Sequence, residues 1–158
     1  MNSPSLGRIA VLVPAAGRGE RLGPGMPKAL RPLGGIPMLV HAVRALAASR
    51  IVDIVVVAAP EDSAEMVAAM LAEQSFQAEV VVVTGGDTRQ DSVARALLTL
   101  PDDVDVVLVH DAARPLVPVE VVTAVAAAVR AGNDAVVPGL PVVDTIKRVD
   151  ANSDVECT

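Results

Sequence analysis

The sequence predicts a three-layer α/β domain, helices on both faces of a mostly parallel, Rossmann-like sheet. Two observations carry that reading. Short β-branched runs alternate with segments of helical period along 158 residues, the order that builds parallel βαβ units. The β-branched runs are apolar on both faces, as strands covered by helices on each side must be. The length argues for one domain with at most an appendage.

Residues 9–13, 54–58, 80–84, 104–109 and 135–137 read as buried strands, each dominated by Val, Ile or Ala. The segments between them are amphipathic. Leu39, Ala42, Val43, Leu46 and Ala47 recur at helical spacing, as do Met66, Val67, Met70 and Leu71. Val93, Ala96, Leu97 and Leu100 make a third stripe, and Val121, Ala124, Val125, Ala128 and Val129 a fourth. The fourth helix has Pro118 near its start, Glu120 in its first turn and Gly132 past its end, in keeping with helix termini. Residues 1–140 form the expected domain. Residues 141–158 differ: Val142, Val143, Ile146 and Val149 suit an extended arm, with nothing after them for it to return against.

Composition excludes several functions. Phe76 is the single aromatic residue, so base-stacking recognition of nucleic acid is not expected. Thirteen basic residues against 19 acidic ones leave a net charge of −6, which repels polyphosphate unless the cations are gathered at one place. Cys157 is the one thiol, which excludes an internal disulfide or a cysteine metal cluster. No apolar run approaches the roughly 20 residues of a membrane span. Arg8 with the apolar run after it imitates a short signal peptide, but the run passes into a charged glycine-rich loop. A cytoplasmic protein with no membrane or nucleic-acid partner is expected.

In parallel sheets ligands bind beyond the carboxyl ends of the strands, so the loops after Val13, Thr84 and Val109 carry the functional information. The first reads PAAGRGERLGPGMPK from Pro14 to Lys28. Its small residues let backbone N–H groups approach an anion, and Arg18, Arg21 and Lys28 add charge. Gly17, Gly19 and Gly23 give G-x-G-x-x-x-G, the wrong spacing for a nicotinamide-dependent oxidoreductase, and the G-K-[ST] of a P-loop is absent. The second loop is GGDTRQDS from Gly85, and the third is HDAARP from His110.

These loops, with Asp144-Thr-Ile-Lys147, resemble the 2-C-methyl-D-erythritol 4-phosphate cytidylyltransferase family, in register over nearly the whole chain. The resemblance implies a nucleotide-diphospho-sugar transferase type of fold. It implies transfer of a cytidylyl group from CTP to 2-C-methyl-D-erythritol 4-phosphate, with release of pyrophosphate, in non-mevalonate isoprenoid synthesis. Ala15, Ala16, Gly17, Gly19, Gly85, Asp87 and Ser92 would then hold the CTP. Arg21 and Lys28 would be the catalytic cations at the reacting phosphorus, and Asp111 would lie near Mg²⁺ and both substrates. Arg114 and Thr145 would bind the polyol phosphate, partly from the neighbouring subunit of a homodimer. The family's chain runs further, carrying a second lysine, another arginine and the return half of the arm, none with a counterpart here. An incomplete C-terminal β-arm is the expectation. Another acceptor such as ribitol 5-phosphate, or a non-catalytic nucleotide-binding fragment, stays open.

The chemistry suits those residue types. The nucleophile is already a phosphate oxyanion, so no strong base is needed, and cations with Mg²⁺ offset the repulsion between two phosphorylated reactants. Structural roles compete. Asp87 with Gln90 three positions on matches a capping box, and Arg114 suits Asp111 as an ion-pair partner. Ser92 suits an ordinary first-turn hydroxyl, and Thr145 suits a strand by propensity alone. His110 reads as an oriented structural side chain and His41 as an exposed one.

Overall fold

The structure, a computed structural model, describes residues 7–17 and 26–157. Four parallel strands form the central sheet: β1 (Arg8–Pro14), β4 (Ile54–Ala59), β5 (Glu79–Thr84) and β6 (Val104–Val109), in the order β5-β4-β1-β6. Two short strands, β2 (Pro32–Leu33) and β3 (Ile36–Pro37), make a hairpin before the first helix. The helices are α1 (Met38–Ala47), α2 (Ala64–Ala72), α3 (Arg89–Leu97) and α4 (Val119–Arg130).

Strand alternation divides the core in two. Ile9, Val11, Val13, Val55 and Val57 face α1, α2 and α4 through Leu39, Val43, Leu46, Val67, Leu71, Val122 and Ala126. Ala10, Leu12, Ile54, Val56 and Ala58 face α3 through Ala96, with Val93 at the margin. The expected three layers are therefore present. The connections through α1 and α2 run one way across the sheet and the one through α3 runs back. Right-handed crossovers then put α3 on the opposite face.

The central strands are as buried as their continuous apolar runs predict. β5 and β6 are edge strands and are only partly covered, with Val107 39% and Val109 46% exposed. The α4 stripe also departs from its sequence pattern. Val122 and Ala126 are buried while Ala124 is exposed, because a helix apolar on most of its circumference leaves several faces in competition.

One expectation for the C-terminal part is corrected. Residues 135–137 form no strand, and Val137 is 87% exposed. Pro138 and Pro141 remove ladder donors beside this short run. Residues 148–157 form a short hairpin of their own. β7 (Arg148–Val149) pairs antiparallel with β8 (Val155–Cys157). Asp150 makes the turn by accepting from the backbone N–H groups of Asn152 (2.8 Å) and Asp154 (2.9 Å), the local bonding that suits Asp to turns. Among the described residues neither core draws on any residue beyond Val129.

Candidate active site

At the carboxyl ends of the central strands a cavity of about 570 Å³ opens. The loops after β1, β5 and β6 all reach it, together with Lys28 and Ala29 from a short 3₁₀ turn, Lys28–Leu30. Backbone bonds fix the loop bases to the sheet: Ala15 N–H donates to Ala58 O at 2.8 Å, Gly85 N–H to Ala59 O at 2.7 Å and His110 N–H to Leu12 O at 2.9 Å.

Most of the residues singled out in the sequence meet here. Ala15, Ala16, Gly17, Lys28, Asp87, Ser92, Asp111 and Arg114 all line the cavity. Gly19 and Arg21 lie outside the described residues. Gly85 stands behind the wall, where a Cβ would come within 2.5 Å of Ala16 Cβ. Glycine there lets the first and second loops touch. Thr145 is exposed in the segment before β7 and is not part of the cavity wall.

The second loop is held from α3. The cap is Thr88 rather than Asp87: Thr88 Oγ1 accepts from Asp91 N–H at 3.0 Å, and Asp91 Oδ2 accepts from Thr88 N–H at 3.3 Å. This is a capping box one residue later than the sequence suggested, and it leaves Asp87 exposed on the cavity wall. Ser92 is only 2% exposed. Its Oγ accepts from Gly86 N–H at 3.1 Å and lies 3.0 Å from Thr88 O, to which it donates. Arg95 Nη1 donates to Gly85 O at 2.7 Å.

The third loop places Asp111 between two guanidinium groups. Arg89 Nη2 donates to Asp111 Oδ1 at 2.9 Å and Nε to the same oxygen at 3.2 Å, while Arg114 Nε lies 3.5 Å from Oδ2. These hydrogen bonds from Arg89 hold the Asp111 carboxyl below its ordinary range. The charges of Arg89, Arg114 and His110 add to the effect, and partial burial opposes it. His110 Nε2 pairs with Arg114 O at 2.9 Å, which orients the ring as a structural side chain would be. His41 is half-buried rather than exposed, with its Nε2 2.9 Å from Leu33 O. Arg89 was not singled out in the sequence. A signal for it exists: it is the one cation of the second loop, GGDTRQDS, and starts a helix, where positive charge is disfavoured.

The Lys28 side chain makes no hydrogen bond or ion pair among the described residues and faces the same space. Acid and base therefore share a hollow floored by small residues, an arrangement that accepts a polyanion close to the backbone. Two carboxylates, Asp87 and Asp111, line it. Among the described residues no group of three or more His, Cys, Asp or Glu is gathered to cage a metal. That donor set fits Mg²⁺, which takes one or two carboxylates and completes its shell with substrate phosphates and water.

A sequence model of 2-C-methyl-D-erythritol 4-phosphate cytidylyltransferase matches residues 9–158. The chain belongs to this cytidylyltransferase family. It is 58% identical over 150 residues to the 2-C-methyl-D-erythritol 4-phosphate cytidylyltransferase of Streptomyces avermitilis, covering 94% of this chain and 60% of that one. To the Streptomyces coelicolor protein of the same name it is 59% identical over 145 residues, covering 90% and 54%. The crystal structure of the Thermus thermophilus cytidylyltransferase matches with a TM-score of 0.66 at 36% identity, over 94% of this chain and 63% of that one. A 4-diphosphocytidyl-2C-methyl-D-erythritol synthase from Anaerococcus prevotii matches with a TM-score of 0.82 at 23% identity, over 98% and 65%, a likeness of fold. The chain thus spans a little over half the length of the two Streptomyces relatives. No helix among the described residues is long and apolar enough to cross a membrane.

Proposed function

We propose that the cavity binds CTP and that the chain, at the length its relatives have, transfers the cytidylyl group to 2-C-methyl-D-erythritol 4-phosphate with release of pyrophosphate. The observation that carries this reading is the meeting of Lys28, Arg89 and Arg114 with the small-residue backbone of 15–17 in one hollow of an acidic molecule. The backbone of the first loop and the Gly85–Gly86 loop would take the nucleotide. Lys28, with Arg21 and Gly19 from outside the described residues, would meet the phosphates, and Arg114 the acceptor phosphate.

Asp111 is the residue to hold Mg²⁺, which when bound neutralises phosphate charge. Lys28, Arg21 and Arg114 would screen the approach of one phosphorylated reactant to another, and removing one such donor commonly costs roughly 3–4 kcal/mol of barrier. The position of Thr145 away from the cavity wall fits a role supplied to a neighbouring subunit, and a homodimer in the cytoplasm is part of the proposal. Residues 1–140 would form the nucleotide domain and 141–158 the start of the arm.

Titration calorimetry with CTP in saturating Mg²⁺, beside pyrophosphate release with 2-C-methyl-D-erythritol 4-phosphate and with ribitol 5-phosphate, tests the reading. CTP binding and turnover of the methylerythritol phosphate are expected. No CTP binding overturns the reading, and turnover of ribitol phosphate alone replaces the acceptor. A second reading, nucleotide binding without turnover, is favoured by the same distance of Thr145 from the cavity; it predicts CTP binding with no pyrophosphate release.

A further inference from the structure

Arg89 occupies the first position of α3, where a cation faces the positive end of the helix dipole. The nearest acid in that turn, Asp91, is committed to the cap on Thr88. Arg89 instead reaches another residue of the cavity wall, 22 positions along the chain, and sets two nitrogens on one oxygen, Oδ1 of Asp111. Arg114 approaches Oδ2 at only 3.5 Å, with its side chain 78% exposed. The two partners are unequal, one a two-point hold and the other a loose contact. Without Arg89, Asp111 would be a rotatable anion in the wall of a hollow that has to admit a polyanion.

We propose that Arg89 is a positioning residue that acts through Asp111. Its guanidinium fixes Oδ1 and cancels the carboxylate's charge, so that a nucleoside triphosphate can enter beside an acid. The inference rests on the nucleotide reading of the cavity. The rival role, direct contact between Arg89 and a phosphate, would fall to Nη1, which the pair with Asp111 does not use.

Calorimetry of CTP binding without divalent cation separates the two. Arg89→Gln lowers the charge of the wall by one and leaves Asp111 with Arg114 alone. Against two phosphate charges at roughly 6 Å in water-like surroundings, that weakens CTP binding about tenfold. Arg89→Lys keeps the charge but loses the two-point hold, and recovers part of the loss. The double variant Arg89→Gln/Asp111→Asn restores the net charge of the wall and returns to within about twofold of wild type, a strong coupling between the two sites. A double variant as weak as Arg89→Gln alone overturns the inference, because Arg89 would then be touching the phosphates. So does an Arg89→Gln chain that binds CTP as wild type does. A wild-type chain that binds no CTP, with or without Mg²⁺, overturns the nucleotide reading itself.

Discussion

Gly85→Ala probes the contact on which the cavity's floor depends. The added Cβ would lie 2.5 Å from Ala16 Cβ, 3.0 Å from Ser92 Oγ and 3.3 Å from Ala59 O. Carbon atoms pack at about 3.5–4.0 Å, so Ala16 would have to retreat by about 1 Å. Neither loop is free to do this. Ala15 and Gly85 are both bonded to β4 by backbone hydrogen bonds, at 2.8 Å and 2.7 Å, and Ser92 Oγ is held between Gly86 and Thr88. Overpacking of this kind costs about 1–3 kcal/mol. At about 2–4 °C of Tm per kcal/mol for a chain of this size, the expected fall is roughly 2–12 °C. Thermal unfolding followed by circular dichroism measures it, and the second variant Gly85→Ala/Ala16→Gly, which removes the shortest contact, recovers most of the loss. An unchanged Tm in Gly85→Ala refutes the argument. A double variant no more stable than the single one refutes the part assigned to Ala16.

Three further outcomes are expected. Ser92→Ala strands the part-buried Gly86 N–H and lowers stability by about 1–3 kcal/mol in urea unfolding; a change below about 0.5 kcal/mol contradicts the role given to this hydroxyl. Lys28→Ala removes a charge-assisted contact and weakens CTP binding about tenfold to a hundredfold by calorimetry, with Tm held; unchanged affinity sets Lys28 apart from the phosphates. Because Arg89 lowers the Asp111 pKa from an ordinary 3.8, this pair stabilises the fold fully above about pH 4 and less as pH falls through the lowered value. With Asp111 40% exposed, the contribution stays below about 1 kcal/mol. Asp111→Asn should flatten the acid limb of a Tm-against-pH profile, and superimposable limbs would count against it.

The sheet was legible because strands covered on both faces leave unbroken runs of Val, Ile and Ala, as in β1 and β4. The same signature misleads at 135–137. An Ala-Val-Val run carries no record of whether a neighbouring strand is there to receive it, and here two prolines follow within four residues. The cap of α3 shows a different ambiguity. Asp87 and Thr88 are adjacent, each with a capping partner three positions on, so residue type alone did not separate them, and backbone geometry chose Thr88. The hairpin at 148–157 escaped notice because Val155–Cys157 is short and its turn is signalled by Asp150 rather than by glycine. At the site, residues carried by glycine-rich loops were found through their motifs. Arg89 was missed because its meaning lies in a contact across 22 residues, which no local pattern records.

That contact also accounts for how the cavity keeps its third wall. The first and second loops rise from β1 and β5 and are bonded at their bases to β4, so their positions follow from the best-buried strand of the sheet. The third loop rises from β6, an edge strand supported on one side by β1, with Val107 and Val109 exposed. Its own anchors are the bond from His110 N–H to Leu12 O and the burial of Ala112. Neither fixes the direction of the Asp111 side chain. The hold from Arg89 does, since it ties the third loop to α3, and Ser92 and Arg95 tie α3 in turn to the Gly85–Gly86 loop. One helix terminus thus braces two loops of the cavity. A substitution that shifts the start of α3 by a residue should therefore loosen both at once, whereas a lesion in α4 should leave the second loop where it is.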